Sequence, residues 1–248
     1  MRRMSTILIR NICRFSRQLN NKQLNNNQLN NNQLNNKINN EINNKINSQI
    51  NNLKICKTYK EYYYNGQLQK IYNYIYDKKE GIYKEYYSNG QLKQICNYKN
   101  NNIDNELKIY YENGKIWQIY NYNNGKKEGE CKIFYDNGKL GEICNYKNDK
   151  LEGECKFYYS NGKILEICNY IDNKLDGEYK FYHSNGQLHI ICNYKNGKKE
   201  GEYKEYHYSG KIKKIYNYNN NKKEEECKIF YDNGELGICN YKNDKLEG

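Results

Sequence analysis

The stretch GECKIFYDNGKLGEICNYKNDKLEG, residues 129–153, carries the fold in miniature. Two runs rich in Ile, Cys and aromatic residues flank Asn137-Gly138, and the second ends at Asn148-Asp149. Runs of this kind bounded by Asn-Gly are strands joined by tight hairpins. Asn-Gly predicts a type I′ turn, in which both central residues need positive φ. The Asn148-Asp149 junction predicts a second reversal, since Asn and Asp also tolerate the left-handed region. Turn chemistry at both ends of each strand predicts one continuous antiparallel meander.

Working outward, the unit repeats every 24 residues. Asn-Gly recurs from Asn65-Gly66 to Asn233-Gly234, with Ser209-Gly210 in one gap, and Asn-Tyr follows at a constant offset from Asn73-Tyr74. The last Asn-Tyr, Asn240-Tyr241, arrives one residue early beside Gly237. The fold class expected is all-β: an elongated, single-layer antiparallel meander of about eight tandem 24-residue β-hairpins over residues 53–248. A low-complexity N-terminal segment precedes it.

Parity tests this reading. With Asn137 and Gly138 as loop residues, Tyr135 faces Leu140, Ile133 faces Glu142, and Cys131 faces Cys144 on one side of the sheet. The turn at Asn148-Asp149 keeps Cys155 on that side, so the faces stay in register. The first face collects Tyr87, Leu92, Cys96 and Tyr98 and is expected to be the better buried. The second collects Lys84, Tyr86, Ile95 and Asn97.

The unit Gly-Glu-Tyr-Lys-x-Tyr-Tyr-x-Asn-Gly-Lys/Gln-Leu/Ile resembles the MORN repeat, in the variant form found in bacterial antitoxin-like repeat proteins. Tyr86-Tyr87-Ser88-Asn89-Gly90-Gln91-Leu92 and Gly153 to Ile164 carry the likeness. Standard units hold a Gly-x-Gly pair at the connector. Here one Gly stands there (Gly129, Gly153, Gly177, Gly201), and Asn105 and Glu225 replace it in two copies. The resemblance implies a scaffold for protein–protein interaction and, in some members, association with acidic phospholipid. An antitoxin-like neutraliser of a toxic partner follows from the same analogy alone. In family members that are enzymes, a separate domain does the chemistry.

The rest of the chain is simpler. Residues 1–17 carry five Arg and no acid, which reads as a basic tail or as a mitochondrial targeting segment. Residues 18–52 are an Asn/Gln/Leu/Ile linker, expected to be disordered or weakly helical. Leu19, Leu24, Leu29 and Leu34 recur every five residues, which makes no helical stripe. Ile38, Ile42, Ile46 and Ile50 recur every four, which permits an amphipathic helix over 37–53.

Charge and chemistry narrow the function. The chain is formally +12 but has neither Ala, Val nor Pro, so its Lys content reflects codon bias as much as binding. Every Arg lies within the first seventeen residues, which argues against nucleic acid. No Cys/His spacing matches a zinc site, and no nucleophile–base pair stands outside the structural columns. We therefore expect no enzyme, no catalytic residue, no cofactor, no metal and no small-molecule substrate. The expected partner is a protein, with an acidic membrane surface as the alternative, and the expected location is cytoplasmic.

Three columns stand out. Lys60, Lys84, Lys108, Lys132, Lys156, Lys180, Lys204 and Lys228 occur once per repeat on the second face, each followed two residues later by Tyr or Phe. The pairs Lys84/Tyr86, Lys132/Phe134, Lys156/Tyr158, Lys180/Tyr182 and Lys204/Tyr206 form the candidate partner or lipid face. Connector glutamates (Glu128, Glu152, Glu200) are expected to offset its field. Cys131/Cys144 and Cys155/Cys168 are expected directly opposite, about 4.5 Å apart and within disulfide range, with free thiols favoured over oxidation. His183 and His207 take Tyr positions in adjacent repeats, about 9–10 Å apart and too distant to share a metal.

Overall fold

The computed structural model describes residues 31–52, 56–231 and 233–247. The basic segment 1–17 and the leucine-periodic part of the linker lie largely outside those residues. The chain divides into two units, one ending at Lys54 and the other beginning at Ile55. In the first, a helix α1 spans Asn31–Asn52. It begins six residues before the span expected from the Ile period. Ile38, Ile42 and Ile46 are partly sheltered while the residues between them are exposed. A four-residue step drifts only about 40° around a helix, so these side chains stay on one stripe.

In the second unit, every strand pairs antiparallel with its neighbours in the chain. Each repeat holds an outgoing strand, such as Gly129–Phe134, and a return strand, such as Leu140–Lys147. The same pair recurs as Gly153–Tyr158 with Ile164–Ile171 and as Gly177–Tyr182 with Leu188–Lys195. The eighth hairpin joins Lys222–Phe230 to Leu236–Lys242 and is followed by Lys245–Glu247. The meander expected from sequence is the architecture observed.

The connector takes the left-handed geometry its residues allow, and the Asn-Gly turn departs from expectation. At the connector, Asn148 and Asp149 have φ of 50° and 66°, and Asp172 and Asn173 repeat this. These are the type I′ reversals. At Asn137-Gly138 only Gly138 is left-handed, at φ 87°. Gly138 N–H donates to Tyr135 O, and Tyr135 N–H donates to Lys139 O. That is a type I turn closed by a left-handed glycine, not the type I′ turn expected. The Asn side chain explains the choice. Asn137 Oδ1 accepts from Lys139 N–H at 2.9 Å, and its Nδ2 donates to Ser160 O of the next repeat at 3.0 Å. Those bonds hold Asn137 in the ordinary turn conformation.

Register follows parity up to the last pair before this turn. Cys131 faces Cys144, Lys132 faces Ile143, and Ile133 faces Glu142. The next pair is Phe134 with Leu140, leaving Gly141 as an extra residue. The same bulge recurs in the repeats before it and after it. It corrects the expected placement of Leu92 and Leu140, which pair with Tyr86 and Phe134 on the second face. It also turns the residue after them toward the first face. The last hairpin has no such shift: Phe230 faces Leu236 and Cys227 faces Cys239. The single deletion beside Gly237 therefore removes the bulge and spares the ladder.

The first face is the buried one. Among the described residues, the eleven enclosed hydrophobic ones, including Tyr83, Cys96, Cys131, Cys144, Cys155, Cys168 and Tyr203, belong to its two central columns. A single sheet encloses them because side chains from adjoining strands roof them. Tyr146, Tyr170, Leu151 and Phe157 cover the Cys131–Cys168 row. Where a central position holds Tyr, the connector residue above is often Lys: Lys127 Nζ sits 3.9 Å from the Tyr120 ring centroid and Lys223 Nζ 4.2 Å from that of Tyr216. Between Cys144 and Cys155 that connector residue is Leu151 instead.

Cys131, Cys144, Cys155 and Cys168 form one continuous row across four strands. Cys144 is joined to Cys155 across the connector, and Cys227 to Cys239 within the last hairpin, with Cα separations of 4.3 and 5.0 Å. Cys144 and Cys155 depart from the free thiols favoured from sequence. The expected opposition of Cys131 to Cys144 and of Cys155 to Cys168 holds, but Cys144 has a cysteine on both sides and bonds the one in the next repeat. Cys131 and Cys168 remain thiols, and burial pushes their pKa values up to about 11 and about 12.

Candidate functional site

Successive repeats are locked together at both ends of the hairpin. At the connector end, Asp149 N–H donates to Lys127 O and Asn173 N–H to Leu151 O. The Glu128 carboxylate accepts from Asn148 N–H at 2.9 Å, and Glu200 accepts from Asn220 N–H at 3.0 Å. Glu152 does the same for Asp172 N–H. The connector glutamates thus cap the next turn in addition to any effect on the surface field. At the other end, the Tyr111 hydroxyl donates to Phe134 O at 2.7 Å, Tyr135 to Tyr158 O at 2.5 Å, and Tyr159 to Tyr182 O at 2.6 Å. Each tyrosine clasps the following repeat. His183 takes this place with Nε2 3.3 Å from Tyr206 O. Its ring stacks at 4.1 Å on His189, a contact the sequence reading did not bring together. Burial, and then the neighbouring His183, lower the pKa of His189. Among the described residues, no group of three or more His, Cys, Asp or Glu is arranged for a metal ion.

The lysine column lies where expected, on the second face, but it has a companion. Each lysine from Lys108 onward has a glutamate two residues before it, on the same side of the same strand. Lys132 meets Glu130 at 2.5 Å, Lys156 meets Glu154 at 2.6 Å, and Lys204 meets Glu202 at 2.5 Å. Lys108 with Glu106, Lys180 with Glu178, and Lys228 with Glu226 complete the series. These hydrogen bonds raise the pKa values of Lys108, Lys180 and Lys204. Half-exposed pairs of this kind add little stability. Their effect is on the field, since each cation is cancelled beside its own carboxylate. Only Lys60 and Lys84 have Thr58 and Ile82 in the companion position. Tyr86, Phe134, Tyr158, Tyr182 and Tyr206 lie beside the lysines as expected, each half-buried.

A second feature, missed from sequence, lies on the first face at the Asn-Gly end. The bulge turns its extra residue toward the clasp tyrosine. Trp117, the only tryptophan in the chain, packs on Tyr111 at a tilt of 32° with ring centroids 5.6 Å apart. Lys93 Nζ lies 6.0 Å from the Tyr87 ring centroid. Gly141 has no side chain to place there, and a Cβ on it would come within 3.1 Å of the Tyr135 ring. A cavity of about 340 Å³ opens here, lined by Tyr111, Trp117, Tyr135, Glu142, Phe157 and Leu165. Burial raises the pKa of Glu142.

Hairpins stacked edge to edge, with a charge-paired second face and a buried first face, define a β-hairpin repeat protein. The family model described as the MORN repeat variant matches residues 56–76, 79–100, 103–124, 127–148, 151–172, 175–196 and 199–220, and the chain belongs to that family. No curated protein matches the chain. Among the solved structures that match is one described as "Crystal Structure of TcdB2-TccC3-TEV". It is 12% identical over 77% of this chain, with a TM-score of 0.21. This chain spans about 12% of that protein's length, so the match bears on no functional argument.

Proposed function

We propose that this protein is a non-catalytic scaffold whose repeat array holds a protein partner. The observation that carries this reading is the Glu-x-Lys pairing of the second face. Residues 56–248 hold 32 Lys against 28 Asp or Glu, a net charge of +4. A surface that binds acidic lipid needs several uncancelled cations near the bilayer, each contributing about 1 kcal/mol. Here six of the eight column lysines are matched one to one by glutamate. Alternating charge beside half-buried aromatic rings suits a protein surface of complementary pattern. The face of Lys84, Tyr86, Lys132, Phe134, Lys156, Tyr158, Lys180, Tyr182, Lys204 and Tyr206 is then a docking surface for protein. Among the described residues no helix is long and apolar enough to cross a membrane.

The test pairs two measurements on the full chain. Affinity capture followed by cross-linking mass spectrometry is expected to return one stoichiometric partner, with cross-links from array lysines. Co-sedimentation with phosphatidylserine vesicles at physiological salt is expected to leave the protein in solution. Salt-sensitive vesicle binding without a captured partner would replace this reading with the membrane one.

A further inference from the structure

The cavity beside Gly141 has a precedent within the array. In two other repeats the chain places its own lysine at the position of Gly141. Lys93 Nζ lies 2.8 Å from Glu85 Oε1, with the Tyr87 ring on its other side. Lys213 Nζ lies 2.7 Å from Glu205 Oε1. An ammonium paired with a carboxylate is thus a native arrangement at this end of the hairpin, and at Lys93 the clasp tyrosine ring lies beside it as well.

The 129–147 hairpin keeps a carboxylate and the clasp tyrosine but has Gly141 where those repeats have lysine. The carboxylate moves to the opposite member of the same cross-strand pair: Glu85 faces Gln94, whereas Ile133 faces Glu142. Among the described residues the cation that acts on the Glu142 carboxylate is Lys127, through space, with its Nζ over the Tyr120 and Tyr146 rings and in no hydrogen bond or ion pair with Glu142. The aromatic wall is made by Tyr111, Trp117, Tyr135 and Phe157, which all line the cavity. Trp117 is 39% exposed and is the strongest cation-binding ring among the side chains. A carboxylate half-buried among aromatic faces is poorly solvated, and a cation seated there relieves both the desolvation and the missing partner.

We propose that this notch receives the cationic head of a lysine or arginine side chain supplied by the protein partner. The partner's side chain stands where Lys93 and Lys213 stand in their own repeats. It lies over Trp117 and Tyr135 with its charge toward Glu142. The proposal rests on the scaffold reading above and deepens it by naming an anchor. Exposed tryptophan and tyrosine around a pocket are the usual composition of such anchors.

Trp117 reports on the site by itself, because its fluorescence can be excited apart from tyrosine. The full chain is titrated with N-acetyl-lysine methylamide, N-acetyl-arginine methylamide and their neutral counterpart N-acetyl-norleucine methylamide. Tetramethylammonium forms a fourth arm. The lysine or arginine probe is expected to shift Trp117 emission at low-millimolar concentration, and norleucine is expected to bind about tenfold more weakly. Glu142→Gln is expected to weaken the cationic probe by about tenfold while leaving norleucine unchanged. Gly141→Leu fills the notch with the residue that Leu165 provides in the next repeat, with the Tyr135 ring shifting by a few tenths of an ångström to admit its Cβ, and the response is expected to vanish. Equal response to norleucine, or no effect of either substitution, would overturn the assignment. A stronger response to tetramethylammonium than to either side-chain probe would overturn the partner side chain as the source. Capture of a partner with unchanged affinity by Gly141→Leu would overturn this anchor and leave the scaffold reading standing.

Discussion

Gly153→Ala isolates the backbone strain at the connector. Gly153 has φ 79°, and a Cβ built on it would meet nothing within 4 Å. The substitution therefore introduces no clash, and its cost is conformational. Holding an L-residue left-handed costs about 1–2 kcal/mol. The stiffer unfolded chain of alanine returns about 0.4–1 kcal/mol. The expected net loss is about 1 kcal/mol. With a urea slope of about 2 kcal/mol/M, the midpoint should fall by about 0.5 M with the slope unchanged. Gly153→Asn should recover part of that loss, since Asn105 occupies the equivalent position at φ 68°. Equilibrium urea unfolding followed by circular dichroism reads both variants. A neutral Gly153→Ala, or a Gly153→Asn worse than alanine, would refute the left-handed assignment of Gly153.

Three further outcomes follow from named contacts. Tyr135→Phe removes the hydroxyl bond to Tyr158 O and should cost about 1 kcal/mol by the same urea assay, with the sheet spectrum retained. Glu142 has a raised folded pKa, so the stability it contributes is present below its ordinary value and is lost as pH rises through the folded one. Glu142→Gln should therefore be the more stable protein at neutral pH, with the gap closing in acid; a gap independent of pH would contradict the burial of that carboxylate. Changing Glu106, Glu130, Glu154, Glu178, Glu202 and Glu226 together to Gln frees six lysines and raises the array from +4 to +10. Co-sedimentation with phosphatidylserine vesicles should then appear and fade with added salt, the signature of a surface field.

Much of this architecture is legible in the chain. Asn-Gly and Asn-Tyr at a fixed offset define the strands, and alternation places Cys131, Cys144 and Cys155 on one face before any coordinates are consulted. Two things are hidden, for different reasons. Asn137 and Asn148 are the same residue type in opposite conformations, and only the side-chain bonds of Asn137 to Lys139 and Ser160 decide between them. The bulge at Gly141 leaves the 24-residue period intact, so periodicity does not reveal it. Yet it decides that Trp117 meets Tyr111 and that His189 meets His183. The glutamate companions of the lysine column stand openly at Glu130-x-Lys132. Their role follows once residues two apart on a strand are taken as neighbours on one face.

Cysteine cross-link mapping tests the register of the meander most directly. The full chain is unfolded in an alkylating agent after mild oxidation by a soluble disulfide, and its linked peptides are identified by mass spectrometry. The register predicts links only between neighbours in the row: Cys144 with Cys155 foremost, Cys227 with Cys239, and any remainder as Cys131 with Cys144 or Cys155 with Cys168. Cys96 and Cys192 should stay alkylated, since Tyr83 and Leu107 flank the first, and Tyr179 and Tyr203 the second. Intramolecular links such as Cys131 with Cys192, or Cys96 with Cys168, would contradict a ribbon in which each strand touches only its neighbours in sequence.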